Sequence, residues 1–245
     1  MTTTFNAIFK RELKSYFSTP IAYVFIVIFI FLTGIFTFKL ANFYENNQAD
    51  LRSFFLWHPW LFLFLVPAIS MRLWAEERKS GTIELLFTLP INPIISIIAK
   101  FSAAWTFIAL SLLLTFPMII TVYYLGEPDG GIIFISYLGS FLMAGAYLSI
   151  GAAFSSLTKN QVISFILTAV SCLCLIIIGF SPFIQFISEF LPAFIVENLR
   201  SLSFIYHFDS IQKGIFDFRD LVFFLSVIGC GLYANYIILE EKKSE

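Results

Sequence analysis

Residues Phe101 to Gly126 read FSAAWTFIALSLLLTFPMIITVYYLG, 26 consecutive positions without a charged side chain. A helix rises about 1.5 Å per residue and the hydrocarbon layer of a bilayer is about 30 Å thick, so about 20 apolar residues cross it. This stretch is long enough, and the chain around it is built the same way. Of 245 residues, 59% are apolar, 13% are charged and 32 are phenylalanine, with a mean hydropathy of +0.88. A soluble domain carries about 25% charged residues, and a compact chain of this size could not keep so much apolar surface from water. The composition excludes a soluble enzyme, a disordered region and a nucleic-acid binder. A formal net charge of −1 offers no field to a polyanion.

Further uncharged runs extend from Ser15 to Phe38, Ser53 to Met71, Gly130 to Thr158, Asn160 to Ser188 and Leu221 to Leu239. They predict an all-α polytopic membrane protein with six transmembrane helices, near residues 20–38, 53–72, 101–124, 132–157, 160–180 and 221–239. The fifth run is too long for one helix, and Gly179, Ser181 and Pro182 divide it. Beyond them lies an outer segment, 181–220. Its apolar beginning (Phe183, Ile184, Phe186, Ile187, Phe190, Leu191), interrupted by Pro192, fits a re-entrant pair of short helices buried against protein. The remainder, through Tyr206, His207, Asp209 and Phe216, reads as a surface element.

Basic residues set the orientation. Ten Lys and Arg fall on one side (Lys10, Arg11, Lys14, Arg72, Arg78, Lys79, Lys100, Lys159, Lys242, Lys243) and five on the other (Lys39, Arg52, Arg200, Lys213, Arg219). Both termini are therefore expected in the cytoplasm. The first span is too long for a signal-peptide core and no small-residue cleavage site follows it, so it is expected to stay in the protein. Ahead of it, Phe5, Ile8, Phe9, Leu13, Tyr16 and Phe17 form one helical stripe, with Lys10, Arg11 and Lys14 largely off it. Residues 2–19 thus read as an amphipathic helix lying in the cytoplasmic interface.

Catalytic chemistry is missing. No nucleotide-binding G-x-x-x-x-G-K-[ST], no H-E-x-x-H and no G-x-S-x-G occurs. His58, beside Trp57 and Pro59, and His207 both read as wet interfacial residues. Cys172, Cys174 and Cys230 read as small buried hydrophobes. No ionisable side chain falls in the middle of a predicted span, so the chain lacks the proton or ion relay of a secondary transporter and needs an outside source of work. Gly139, Ser140, Ala144, Gly145, Ala146, Ser149, Gly151, Ala152 and Ala153 crowd the fourth span at spacings that let helices approach closely, which reads as packing.

Charge concentrates in the loop between the second and third spans, where Arg72, Glu76, Glu77, Arg78 and Lys79 precede Gly81-Thr82-Ile83-Glu84-Leu85-Leu86-Phe87. Gly81 ends one helical run and Thr82 is placed to cap another. Pro90 and Pro93 then turn the chain, since each disfavours helix in the residue before it. Ile83, Leu85, Leu86 and Phe87 beside a single charge make a docking surface rather than a solvated loop.

The run Glu76-Glu77-Arg78-Lys79-Ser80-Gly81-Thr82-Ile83-Glu84-Leu85-Leu86, followed by Pro90, resembles the membrane subunits of type-2 ABC exporters. The gliding-motility-associated permease group is the nearest likeness, and Trp60 through Pro67 to Met71-Arg72 supports it. The resemblance covers essentially the whole chain, residues 1–245, as one permease domain. It implies that 76–93 is the coupling region, with Glu76, Glu77, Arg78, Lys79, Gly81, Thr82, Ile83, Glu84, Leu85, Leu86 and Phe87 contacting an ATPase subunit. It also implies two ATPase copies, a second permease chain (identical or homologous), an optional periplasmic auxiliary subunit, and a place in the bacterial cytoplasmic membrane. The chain itself is expected to hold no cofactor; ATP and magnesium belong on the ATPase. The competing reading is a non-transport scaffold anchoring a cell-envelope or motility complex.

Overall fold

A computed structural model describes residues 2–45, 50–84, 92–215 and 217–242. Every regular element among them is helical. Helix α1 (Thr2–Ser18) leads into α2 (Pro20–Ile35), which Pro20 opens at a position where its missing N–H costs nothing. One wide turn, Phe36–Leu40, extends α2. Then come α3 (Arg52–Phe55), α4 (His58–Ser70) and α5 (Ala75–Ser80). Two stacked helices, α6 (Pro93–Leu113) and α7 (Phe116–Leu125), precede α8 (Gly130–Leu157) and α9 (Gln161–Ile177). Three short helices follow, α10 (Ser181–Ser188), α11 (Ala193–Arg200) and α12 (Phe204–Gln212), before the final α13 (Phe218–Glu241).

The hub is α8. It packs against α4, α6, α9, α12 and α13, and 61% of its span is buried, compared with 22% for α13 and for the span of α2. Its small residues are what permit this. A Cβ on Gly151 would sit 2.0 Å from Ser70 Oγ, one on Gly145 within 3 Å of the Trp105 ring, and one on Gly139 2.7 Å from Ile211. The packing expected of that stripe is thus made within the chain. By contrast, Val27 and Phe31 on α2, Val162 and Val170 on α9, and Tyr233 on α13 stand exposed. An apolar outer wall around a close-packed centre suits a lipid surround, which exacts nothing for exposed hydrocarbon.

Four helical stretches are long and apolar enough to cross a membrane: 22–40, 93–125, 130–157 and 218–241. The α9–α10 pair, bent by 65°, makes a fifth when taken as one broken span. The stretch 53–72, which reads as one span in the sequence, is two helices separated by Leu56 and Trp57. Its α4 is 13 residues long, about 20 Å at 1.5 Å per residue. Counting uncharged positions measures polarity and not helical continuity, and Pro59 starts a fresh helix there. The third expected span also begins earlier than the charge pattern shows: Asn92 accepts from the Ile94 N–H at 2.9 Å, so α6 starts at Pro93 and carries Lys100 inside it.

Two expectations for the outer segment differ from the structure. Helices α10 and α11 pack on each other but bury no residue, so within this chain the pair is not buried against protein, and α12 is no surface element. Phe204, Phe208 and Ile211 are fully buried, with Phe204 stacked on Tyr147 of α8 at 4.8 Å. The stripe Phe204–Phe208–Ile211 has helical spacing, obscured in sequence by the mixed residues between, Ile205, Tyr206 and His207 and then Asp209 and Ser210. Phe216 lies outside the described residues.

Candidate functional site

Helix α5 is six residues long, too short to be stable alone, and the surrounding structure holds it. Its cap residue, Trp74, supplies no side-chain acceptor. The hydroxyl of Ser155 on α8 does so instead, accepting from the Trp74 and Ala75 N–H groups at 3.0 Å each and donating to the Met71 carbonyl at 3.0 Å. One hydroxyl from another helix thus meets orphan donors that a helix start leaves open. Arg78 donates to the Ser156 carbonyl, so both ends of α5 are fastened to the end of α8.

A second fastening runs to α6. Lys100 is 2% exposed. Its ammonium donates to Glu77 Oε1 at 2.7 Å and to the Leu73 carbonyl at 3.0 Å, and lies 4.8 Å from the Trp74 ring centre. Glu12 of α1 is 3.5 Å from the same ammonium. Arg11 bonds Glu12 at 2.6 Å and approaches Glu77 at 3.6 Å. Two carboxylates and two cations therefore join three helices at one point. The hydrogen bond to Glu12 raises the Arg11 pKa against a smaller opposing effect of burial. The Tyr16 hydroxyl, one turn along α1, is raised by burial first and the Glu12 charge second. Tyr16 and Phe17 close the joint from the apolar side by packing on Phe107 of α6, with ring centres 5.3 and 5.7 Å away.

Acidic residues in the first turn of α5 and basic ones in the last complement its dipole. The helix stops at Gly81, whose φ of +76° puts it in the left-handed region where a side chain is strained. Ser80 shares a hydrogen bond with Thr82 at 2.9 Å across that stop, and residues 82–84 resume a helical turn.

The residues that the sequence singled out are therefore divided in role. Glu77 and Arg78 turn inward, and Ile83 packs against the core. Glu76, Lys79, Gly81, Thr82 and Glu84 are exposed, although Glu76 also meets Arg72 at 3.1 Å. Leu85, Leu86 and Phe87 lie outside the described residues. Sequence reading missed Lys100, Ser155 and Glu12. For Lys100 the signal was present, since Asn92-Pro93 marks a helix start seven residues ahead of it. Nothing local marks Ser155.

Both histidines are corrected. His58 is fully buried, its Nδ1 2.8 Å from Ser140 Oγ, among Phe29, Phe54, Phe55 and Phe62. His207 is 6% exposed, with Nδ1 2.6 Å from Asp220 Oδ1 and Nε2 2.8 Å from the Ser201 carbonyl. Cys172 is buried as expected, whereas Cys174 and Cys230 are exposed; on outward helix faces, apolar character does not imply burial in protein.

Residues 39–239 match a family described as ABC-2 family transporter protein. The chain belongs to the ABC-2 transporter family. Membership makes it a multi-pass membrane permease of an ABC transporter, whose ATPase is a separate partner. No curated protein matches this ABC-2 chain.

Proposed function

We propose that α5 and the segment after it, residues 76–93, are the lever by which an ABC ATPase subunit moves this permease. The observation that carries the reading is the double fastening of α5, to α8 through Ser155 and Ser156 and to α6 and α1 through Lys100. A push on its open side is delivered at once to the central helix and to two others. Glu76, Lys79, Thr82 and Glu84 on that side set register and partner choice. Leu85, Leu86 and Phe87 supply apolar area for a helix-in-groove contact, worth roughly 1.5–3 kcal/mol each if fully covered. Moving a two-state equilibrium from 1:99 to 99:1 takes about 5.5 kcal/mol, a sum that two or three such contacts reach.

In the assembly we envisage, two permease chains, identical or homologous, face each other, with an ATPase subunit under each binding ATP and magnesium. Closure of the ATPase pair rocks the permeases between two arrangements and drives export. Six crossings are retained in this reading. The second is α3–α4, which α2, α8 and α9 shield from lipid, so that its broken backbone is tolerated. Helix α1 lies in the cytoplasmic interface, both termini are cytoplasmic, and the membrane is the bacterial inner one. The resemblance to gliding-motility permeases supports that setting and leaves room for a periplasmic auxiliary subunit.

The test is co-expression with a candidate ABC ATPase subunit. Gly81→Pro forces φ to about −65° where the chain needs +76°, and Leu85→Asp puts a charge in the apolar contact. Each should abolish ATPase association or coupling while membrane insertion persists. Unchanged co-purification with unchanged transport would refute the assignment.

A further inference from the structure

Where the outer segment meets the last helix, His207 of α12 is gripped from two sides. Its Nδ1 lies 2.6 Å from Asp220 Oδ1 on α13, and its Nε2 lies 2.8 Å from the carbonyl of Ser201, in the joint between α11 and α12. We propose that His207 and Asp220 form a proton-operated clasp, which ties that joint to α13 while the pair shares one added proton and opens when the proton leaves. The clasp lies away from the proposed ATPase contact and does not depend on it.

The proton follows from counting donors. A backbone carbonyl only accepts, so Nε2 must carry a hydrogen toward Ser201. A neutral imidazole has one N–H, which leaves Nδ1 bare. A bare nitrogen cannot sit 2.6 Å from an ionised carboxylate oxygen, because both are acceptors. The pair therefore holds one proton more than a neutral imidazole and a carboxylate, whichever of the two atoms carries it. The surroundings agree. Asp220 is 4% and His207 6% exposed, and Asp220 Oδ2 is closed off from solvent with no hydrogen-bond partner among the described residues. A carboxylate charge left alone there is costly, and the added proton offsets it. Phe223 stacks on the imidazole at 4.0 Å, with Tyr206 and Phe224 edge-on, which fixes the ring so that both contacts are made at once.

No other charge competes for the ring. Among the described residues, Asp220 is the one carboxylate within 4 Å of its nitrogens. On α12 itself, Asp209 is held by Lys213 at 2.5 Å and reached by Arg52 at 3.9 Å. At the end of α11, the Arg200 guanidinium lies 5.0 Å from the Tyr206 ring centre. At the start of α13, Asp217 Oδ1 accepts the Arg219 backbone N–H at 3.1 Å. The other helices packed on α12 are α8 and α9. The first brings Tyr147, whose hydroxyl donates to the Pro59 carbonyl at 3.1 Å, and the second brings the buried thiol of Cys172. His207 lines a cavity of about 590 Å³, which gives the proton a path to and from water. In an opened chain a histidine loses its charge near pH 6.5 and an aspartic acid its proton near pH 4. Between about those values the open and the closed clasp both carry the added proton; above about pH 6.5 only the closed one does. Closure is therefore strongest below that point and weakens as pH rises, by up to about tenfold in its equilibrium per pH unit for one proton. Opening frees the joint that carries α10 and α11, which bury no residue.

The test is hydrogen exchange of the purified full chain in detergent, read by mass spectrometry on peptides covering 201–212 and corrected for the intrinsic effect of pH on exchange. From about pH 6.5 to about pH 8.5 protection there should fall, by up to about tenfold per pH unit, while peptides from the middle of α8 keep theirs. Asp220→Asn decides the mechanism. An asparagine amide donates to a bare Nδ1, so a neutral imidazole then satisfies both contacts with no added proton. That variant should stay closed at the alkaline end and lose the slope. His207→Gln, which does not titrate, should lose the slope as well, at lower protection throughout, and carries the same test if Asp220→Asn does not fold. The proposal is overturned if protection of 201–212 in the unsubstituted chain does not change with pH, or if the slope persists in either variant. It is also overturned if folded Asp220→Asn is less protected at the alkaline end than the unsubstituted chain, since the carboxylate would then hold the ring without the added proton.

Discussion

Replacing Lys100 with methionine keeps most of the stem volume and removes only the charge. The lost ammonium meets Glu77 at 2.7 Å, the Leu73 carbonyl at 3.0 Å and Glu12 at 3.5 Å. Glu77 Oε2 already has no partner among the described residues. Without Lys100 two carboxylates share Arg11 alone, which reaches them at 2.6 and 3.6 Å. Breaking a buried pair from one side costs about 3–5 kcal/mol. The carboxylate side chains keep 21% and 17% of their exposure, so solvent screening brings the cost down to about 2–3 kcal/mol. At about 2–4 °C per kcal/mol for a chain of this length, melting should fall by roughly 5–10 °C. Thermal unfolding of the detergent-purified chain, followed by fluorescence-detected size exclusion, measures it. The second arm is Glu77→Gln in the Lys100→Met background, which removes the stranded charge. It should recover at least about 1 kcal/mol of the loss, as expected for residues in direct contact. The reasoning fails if Lys100→Met melts with the unsubstituted chain, or if the double variant is as unstable as the two single losses added together.

Further substitutions, at Gly81, at Gly231 with Gly229, and at Ser155, test other parts of the fold. At Gly81 an added Cβ meets nothing within 4 Å, so Gly81→Ala should cost only the left-handed backbone penalty of about 1–2 kcal/mol; Gly81→Asn should cost less, read as the melting temperature. Gly231 and Gly229 lie two residues apart on α13, yet a Cβ on Gly231 would sit 2.7 Å from the Ser149 backbone, while one on Gly229 finds open space. Gly231→Ala should therefore destabilise by about 1–3 kcal/mol and Gly229→Ala should stabilise by about 0.5–1 kcal/mol; the same sign for both would contradict the α8–α13 packing. Ser155→Ala strands the Trp74 and Ala75 N–H groups, at about 1–3 kcal/mol for a buried unsatisfied donor. If α5 is a lever, that variant should also weaken ATPase stimulation by substrate, which a purely local defect would leave intact.

Much of the fold is legible in the residues because lipid makes a simple demand. A backbone in hydrocarbon must satisfy its own hydrogen bonds, so long uncharged runs become helices, and α8 and α13 appear almost where their runs lie. The α1 stripe of Phe5, Ile8, Leu13 and Tyr16 likewise follows from its 3.6-residue period. Legibility fails where polarity is uniform. Within 53–72 nothing in hydropathy separates α3 from α4, and within 204–212 the core residues alternate with polar ones that also turn inward.

Taken alone, the sequence determined the solvent, the helical class, the break at Gly81 and the small-residue stripe, because these depend on local composition and backbone sterics. Tertiary structure alone decided the partners of the polar side chains. Lys100 and Glu77 are 23 residues apart, Ser155 and Trp74 81, and no local rule couples residues at such distances. Close packing around α8 brings them together in a site shielded from water, where an unpaired charge is too costly to remain and each polar group must find the neighbour that the fold provides.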